Sequence, residues 1–243
     1  MNVPTQTTRA KADLPLEVTN ARSMLNWRRL FRRVILTALA LGFWFWTQSL
    51  IARRAAPLSG VGDGLHTLTA GLNSYFYHSP VAANALLILS SALIDGLGLF
   101  LLARWLFGPS VRPFLGLVLL LGLRQILEAL CALPAPPNMI WHYPGFPSLL
   151  VTYNVGNDFF FSGHTAIAVF GGIELARLGK RWLAIVAVAI VLFEIATVII
   201  LRAHYTMDVF AGILAALSVA QFSTRVSPRI DTWLSLAQSP RRP

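Results

Sequence analysis

The chain of 243 residues is poor in the features of a soluble or secreted domain. It has one cysteine, Cys131, which lies inside an apolar run, so no intrachain disulfide can form and no zinc site is suggested. Only 12% of the residues are charged, about half the share of an ordinary soluble domain, roughly 25%. The first 20 residues are polar and lack an apolar core segment, so no cleaved signal peptide is expected. No internal repeat and no separate polar domain break the sequence. What fills it instead is apolar: 56% hydrophobic residues and a mean hydropathy of +0.62. Several runs reach the ~20 residues that a helix needs to cross a bilayer. The reading is an all-α polytopic membrane protein.

Taken in order, six transmembrane helices are expected, at about 34–51, 81–106, 113–133, from 161 onward, 182–201 and 207–222. Residues 1–20 read as a disordered polar tail. Residues 21–33 combine Met24, Trp27 and Phe31 with five arginines, which reads as a basic helix on anionic headgroups or as a basic flank of the first span. Leu65, Leu68, Leu72 and Phe76 recur at helical spacing and suggest a second interfacial helix. Residues 34–222 form the membrane catalytic domain and 223–243 a cytoplasmic tail.

The net charge of +10 is no nucleic-acid signature, because the basic residues sit beside apolar spans. With both termini cytoplasmic, the tails and the linkers at 104–112 and 177–181 hold 16 of the 20 Lys and Arg residues. That asymmetry favours an N-in, C-in topology. Short loops and an Ala- and Leu-rich composition suggest a bacterial inner membrane.

In this topology, His164, His204 and Asp208 meet at the non-cytoplasmic surface. His204 and Asp208 are four apart, one above the other on a helix. A carboxylate there can accept the Nδ1 proton and leave Nε2 basic, able to attack phosphorus or carry a proton. His164 follows Ser162-Gly163 at a helix start, whose free amides and positive dipole end suit a phosphate. Either histidine alone is as readily an interfacial side chain bonded to a headgroup or loop. Arg124, inside the third span, is costly unless it faces a polar cavity or a partner. Either it reaches a phosphate or it simply pairs with Glu128 one turn away. Asp95 and Glu194 are also intramembrane, as partners of Arg124 or Arg202 or as packing groups.

Ser162-Gly163-His164 with His204-x-x-x-Asp208 resembles the type 2 phosphatidic acid phosphatase (PAP2) superfamily. Three features differ from its phosphatases: Phe161 stands where they carry proline, Val198 lies six before His204 where they carry arginine, and their Lys-x6-Arg-Pro is missing. Arg104…Arg112-Pro113 imitates that motif with a spacing one too long. All three departures resemble the sphingomyelin synthase branch. Its Gly-Asp-x-x-x-Ser-Gly-His-Thr matches residues 157–165, with Asn157 for the glycine. Its His-Tyr-Thr-x-Asp-Val matches His204 to Val209, and its Arg-x8-Leu-Pro-x-Pro matches Arg124, Leu133, Pro134 and Pro136. Ala203 stands where many members carry an acidic residue beside the headgroup.

That resemblance implies a lipid phosphotransferase without metal or cofactor. His204, oriented by Asp208, would attack the phosphorus of a glycerophospholipid donor while His164 protonates the departing diacylglycerol. Ceramide or a similar lipid alcohol would then take the phospho-headgroup from the histidine. Arg124, Ser162 and Gly163 would hold the phosphate oxygens, with Asp158, Thr165 and Tyr205 as supporting residues. The alternatives are a PAP2-type lipid phosphate phosphatase, in which water is the acceptor, and a transporter using Asp95, Arg124, Glu128 and Glu194.

Overall fold

The computed structural model describes residues 16–53, 61–153, 156 and 159–236, with side chains from Trp27 onward. Eight helices and no strand occur among them: α1 (Leu16–Ala52), α2 (Gly64–Leu68), α3 (Ala70–His78), α4 (Pro80–Leu106), α5 (Arg112–Leu130), α6 (Gly163–Ala176), α7 (Arg181–Ile200) and α8 (Thr206–Leu236). The basic segment at 21–33 is the first part of α1, which runs unbroken into the apolar stretch. Of the expected N-terminal tail, residues 16–20 are already helical, and residues 1–15 and 237–243 lie outside the described residues. The apolar spacing before residue 80 is realised as two short helices, α2 and α3, with Leu68 and Leu72 exposed.

Among the described residues, five helices, where six are expected, are long and apolar enough to cross a membrane: Trp27–Ala52, Pro80–Leu106, Arg112–Leu130, Arg181–Ile200 and Thr206–Ser235. The expected fourth span is α6, which has 14 residues. At 1.5 Å per residue that is about 21 Å, short of the ~30 Å hydrocarbon core. The reason lies in where α6 starts. Arg124, six residues before the end of α5, already bonds to the carbonyl of Phe161 just ahead of α6. The α6 start is therefore sunk below the end of α5, within reach of the Arg124 side chain. It is a central helix enclosed by α4, α5, α7 and α8, with ten of its residues buried.

Around it, the long helices turn large apolar side chains outward. Ile185, Val188 and Leu192 on α7 and Phe210, Leu214 and Leu217 on α8 are exposed at helical spacing, a surface suited to lipid rather than water. Inside, Gly116 brings α5 onto α6: a Cβ there would stand 2.0 Å from the Phe170 ring.

The bundle has two unlike ends. At one, Arg33 donates from Nη1 to the carbonyls of Trp105 (2.6 Å), Leu106 (2.9 Å) and Gly108 (2.8 Å). These include C-terminal carbonyls of α4 that no helical amide can reach. Asp231 on α8 accepts from the Val111 amide and the Ser110 hydroxyl, both at 2.7 Å, and so fixes the start of α5. Buried Glu174 takes Arg112 and Arg177 at 2.9 and 2.8 Å. Arg112, the arginine of the imitated Lys-x6-Arg-Pro motif, is thus engaged at the end remote from the histidines. The other end holds the histidines.

Candidate active site

Three segments converge at the histidine end: the last turns of α5, the start of α6, and the 201–205 link from α7 into α8. The α6 start is shaped by its own residues. The Ser162 hydroxyl accepts from the Thr165 amide at 3.3 Å, a helix N-cap. The Ser162 amide donates to the Asp208 carbonyl at 3.1 Å, which ties α6 to α8. Gly212 permits the approach, since a Cβ there would stand 2.8 Å from the Ser162 carbonyl oxygen. Gly163 has a different reason: a Cβ there would stand 2.9 Å from Arg124 Nε, so the guanidinium lies across it.

Arg124 is where the two sequence readings meet. Its Nη2 pairs with Glu128 Oε1 at 2.6 Å, and its Nε donates to the Phe161 carbonyl at 3.0 Å. It also lines two small adjoining cavities. The first is bounded by Arg124, Trp141, Thr152, Phe159, His164, Ala203 and His204. The second shares Arg124, Thr152 and His164 with it and adds Gly163 and apolar side chains from α1, α4, α5 and α6. His164 is buried and meets the Trp141 ring edge-on at 5.0 Å.

His204 is oriented differently from the expectation. Its Nδ1 lies 2.9 Å from the Phe159 carbonyl oxygen but 3.9 Å from Asp208 Oδ2. Only the first is a hydrogen-bond distance. A carbonyl only accepts, so Nδ1 carries the proton, and the neutral ring bears its lone pair on Nε2. Asp208 Oδ2 instead accepts from the Tyr205 amide at 2.9 Å and holds the turn on which His204 sits. The carboxylate is spent on the backbone because Tyr205 N–H at the helix start has no helical acceptor.

The remaining candidates divide. Tyr205 is buried, and its hydroxyl donates to the Pro134 carbonyl at 3.1 Å, a bond that positions the loop. Ser162 and Thr165 are buried against α8 and line neither cavity. Asp158 lies outside the described residues. Asp95 pairs with neither Arg124 nor Arg202: it accepts from the Leu149 and Leu150 amides at 2.8 and 2.9 Å and anchors the loop over the site. Glu194 accepts from the Ser90 hydroxyl at 2.6 Å. Two of the four charges needed for a transporter path are thus engaged in local structure.

Two residues were missed in the sequence. Asp63 caps α2 through the Leu65 and His66 amides (2.9 and 3.1 Å) and also takes the Thr206 amide and hydroxyl (2.5 and 2.6 Å) at the start of α8. Burial works against its ionisation, but the bonds from Thr206 and His66 outweigh it and hold its carboxyl below the usual aspartate range. His66 is buried, with its Nε2 3.0 Å from the His204 carbonyl. Asp63-Gly64 ahead of Leu65 is a readable helix-start signal. Nothing local announces a partner 143 residues away.

Among known proteins, the chain is 24% identical over 172 residues to phosphatidylcholine:diacylglycerol cholinephosphotransferase 1 of Arabidopsis thaliana, an alignment covering 71% of this chain and 54% of that protein. The chain thus spans about half the length of the curated relative it matches. No solved structure matches it. The family model described as AtPDCT1/2 matches residues 63–225, more than half of the chain, from Asp63 through both histidines and most of α8. On that match, rather than on the sphingomyelin synthase branch its motifs resemble, the chain belongs to the AtPDCT1/2 family.

Proposed function

We propose that this protein is a membrane lipid phosphotransferase that moves a phospho-headgroup from a glycerophospholipid to a lipid alcohol through a phosphohistidine on His204. The observation that carries the reading is the single cavity shared by Arg124, His164 and His204, with Nε2 of His204 left as the nucleophilic nitrogen. The Nε2 lone pair attacks phosphorus, and the P–O bond to the glycerol breaks. His164, as imidazolium, gives its proton to the departing alkoxide, and diacylglycerol leaves. His164, now neutral, takes the proton of the acceptor hydroxyl as that oxygen attacks phosphorus. The P–N bond breaks and His204 is neutral again. Arg124 and the positive end of α6 at Gly163 offset the charge on the phosphoryl oxygens.

The similarity to a phosphatidylcholine:diacylglycerol enzyme favours phosphocholine as the headgroup and diacylglycerol as the acceptor, ahead of ceramide. Water is disfavoured by the lining: Trp141 and Phe159 share the cavity with the histidines. The test uses purified protein in vesicles, phosphatidylcholine labelled in its headgroup, and diacylglycerol of different acyl composition. The label should appear in new phosphatidylcholine carrying the acceptor's chains, and only when acceptor is added. Ceramide is the second acceptor to try. Steady release of free phosphocholine or phosphate, indifferent to either acceptor, would instead establish the phosphatase.

A further inference from the structure

An apolar groove lies on the outer side of the bundle between α1 and α5, backed by Leu102 of α4. Phe43, 61% exposed, and Val118, 38% exposed, form its open rim toward lipid. On α5 it runs from Phe114 to Gln125, about 16 Å at 1.5 Å per residue. That is half the ~30 Å hydrocarbon core, the depth of one leaflet. Its upper limit is Gln125, bonded at 2.7 Å to Gln48 of α1 and adjacent in sequence to Arg124. The groove therefore begins at the level of the phosphate-binding residues and descends through the middle of the bundle toward the basic end, where Phe114 lies two residues from Arg112. An acyl chain hanging from a headgroup at Arg124 needs that direction and that length.

The groove and the catalytic cavity also share walls. Trp44 and Leu121 line the groove, and both line the cavity that contains Arg124 and His164. Trp44 is 4% exposed, yet among the described residues its indole Nε1 has no hydrogen-bond acceptor. A buried indole N–H ordinarily has one. On α1, whose large apolar side chains mostly face outward, this inward tryptophan marks the passage between lipid and site.

We propose that the α1–α5 groove seats one acyl chain of the lipid substrate, glycerophospholipid or diacylglycerol, with Trp44 at its junction with the cavity donating its N–H to an ester carbonyl of that lipid. This rests on the lipid phosphotransferase reading, and it makes α1 part of substrate selection.

The test plugs the groove. Gly122 lines it, and a Cβ there meets nothing within 4 Å, so Gly122→Phe should fill the groove without disturbing the packing. In vesicles, phosphatidylcholine with a diazirine at the end of one acyl chain should photolabel α1 and α5 peptides around Phe43 and Val118 in the unmodified protein. In Gly122→Phe that labelling should be lost. In transfer assays, the ratio of kcat/KM for dioleoyl to dihexanoyl lipids should fall about tenfold or more in Gly122→Phe, the scale of discrimination in apolar pockets. Trp44→Phe should lower kcat/KM for the diacyl substrate, with labelling of the groove kept. Labelling spread evenly over α1, α5, α7 and α8 and unchanged by Gly122→Phe would mean ordinary boundary lipid and overturn the proposal. So would an unchanged chain-length ratio. Groove-specific labelling in a protein with no transfer to any acceptor would uphold the groove and sink the phosphotransferase reading.

Discussion

The two ends of the bundle each hold a buried glutamate paired with arginine, and at the histidine end the pair borders a cavity. At the basic end, Glu174 is enclosed by Arg112 and Arg177, while neighbouring Asp231 and Arg33 complete the starts and ends of α5 and α4. Arg112–Glu174 joins α5 to α6, Arg33 joins α1 to the end of α4, and Asp231 joins α8 to the start of α5. At the histidine end, Arg124–Glu128 is a similar i,i+4 pair, yet its guanidinium also lies over Gly163 and on the walls of both cavities. Pairing alone therefore does not separate a structural cation from a functional one. What separates them is whether the pair borders a space that a phosphate could occupy.

Truncation at the two ends should split activity from stability. Arg124→Ala should lower kcat about 10²–10³-fold, the usual loss of one charge-stabilising donor. It should also destabilise the protein, because it removes one partner of a buried ion pair, a loss of about 3–5 kcal/mol. Replacing both, as Arg124→Met with Glu128→Leu, should restore the melting temperature and leave activity lost. Arg112→Met at the basic end should lower the melting temperature with kcat within about twofold, its partly exposed pair being worth less. An equal loss of kcat from both ends would erase the contrast.

A smaller effect is expected at Asp208. Because its carboxylate accepts from the Tyr205 amide and stands 3.9 Å from His204 Nδ1, Asp208→Asn keeps an acceptor for that amide. The expected loss in kcat is about tenfold, well below the ~10⁴ seen when a carboxylate directly orients the base. A loss of that larger size would show that Asp208 moves onto His204 during turnover.

The smallest effect is one of pH. Asp63 is held below the usual aspartate range, so its contribution to stability is full above about pH 4 and is lost as pH falls through the lowered folded value. Asp63→Asn should therefore melt earlier than the parent at pH 7, and the gap should close as the pH is taken below 4. A gap independent of pH would mean that shape, not charge, joins α2 to α8.

Much of this was legible in the sequence, and the rest failed for physical reasons. Apolar length gave the long helices, because a spanning helix must be apolar throughout. It did not reveal how short α6 is, since a central helix enclosed by others is as apolar as a span. Residue type and helical spacing brought out Arg124, His164, His204 and Asp208. They misjudged how His204 is oriented: Phe159 and Asp208 compete for its Nδ1, and the winner is a carbonyl that no side-chain pattern reveals. Asp63, His66 and Trp44 reach the site only through tertiary contacts, so no local spacing pointed to them.

The central claim is that His204 carries the phospho-headgroup. Protein incubated with headgroup-labelled phosphatidylcholine and no acceptor, then quenched and digested under mildly alkaline conditions, should yield one labelled peptide containing His204. The adduct should be labile to acid and discharged by adding diacylglycerol. It should be absent in His204→Ala. A labelled peptide containing His164 instead, or efficient transfer by His204→Ala, would contradict the account.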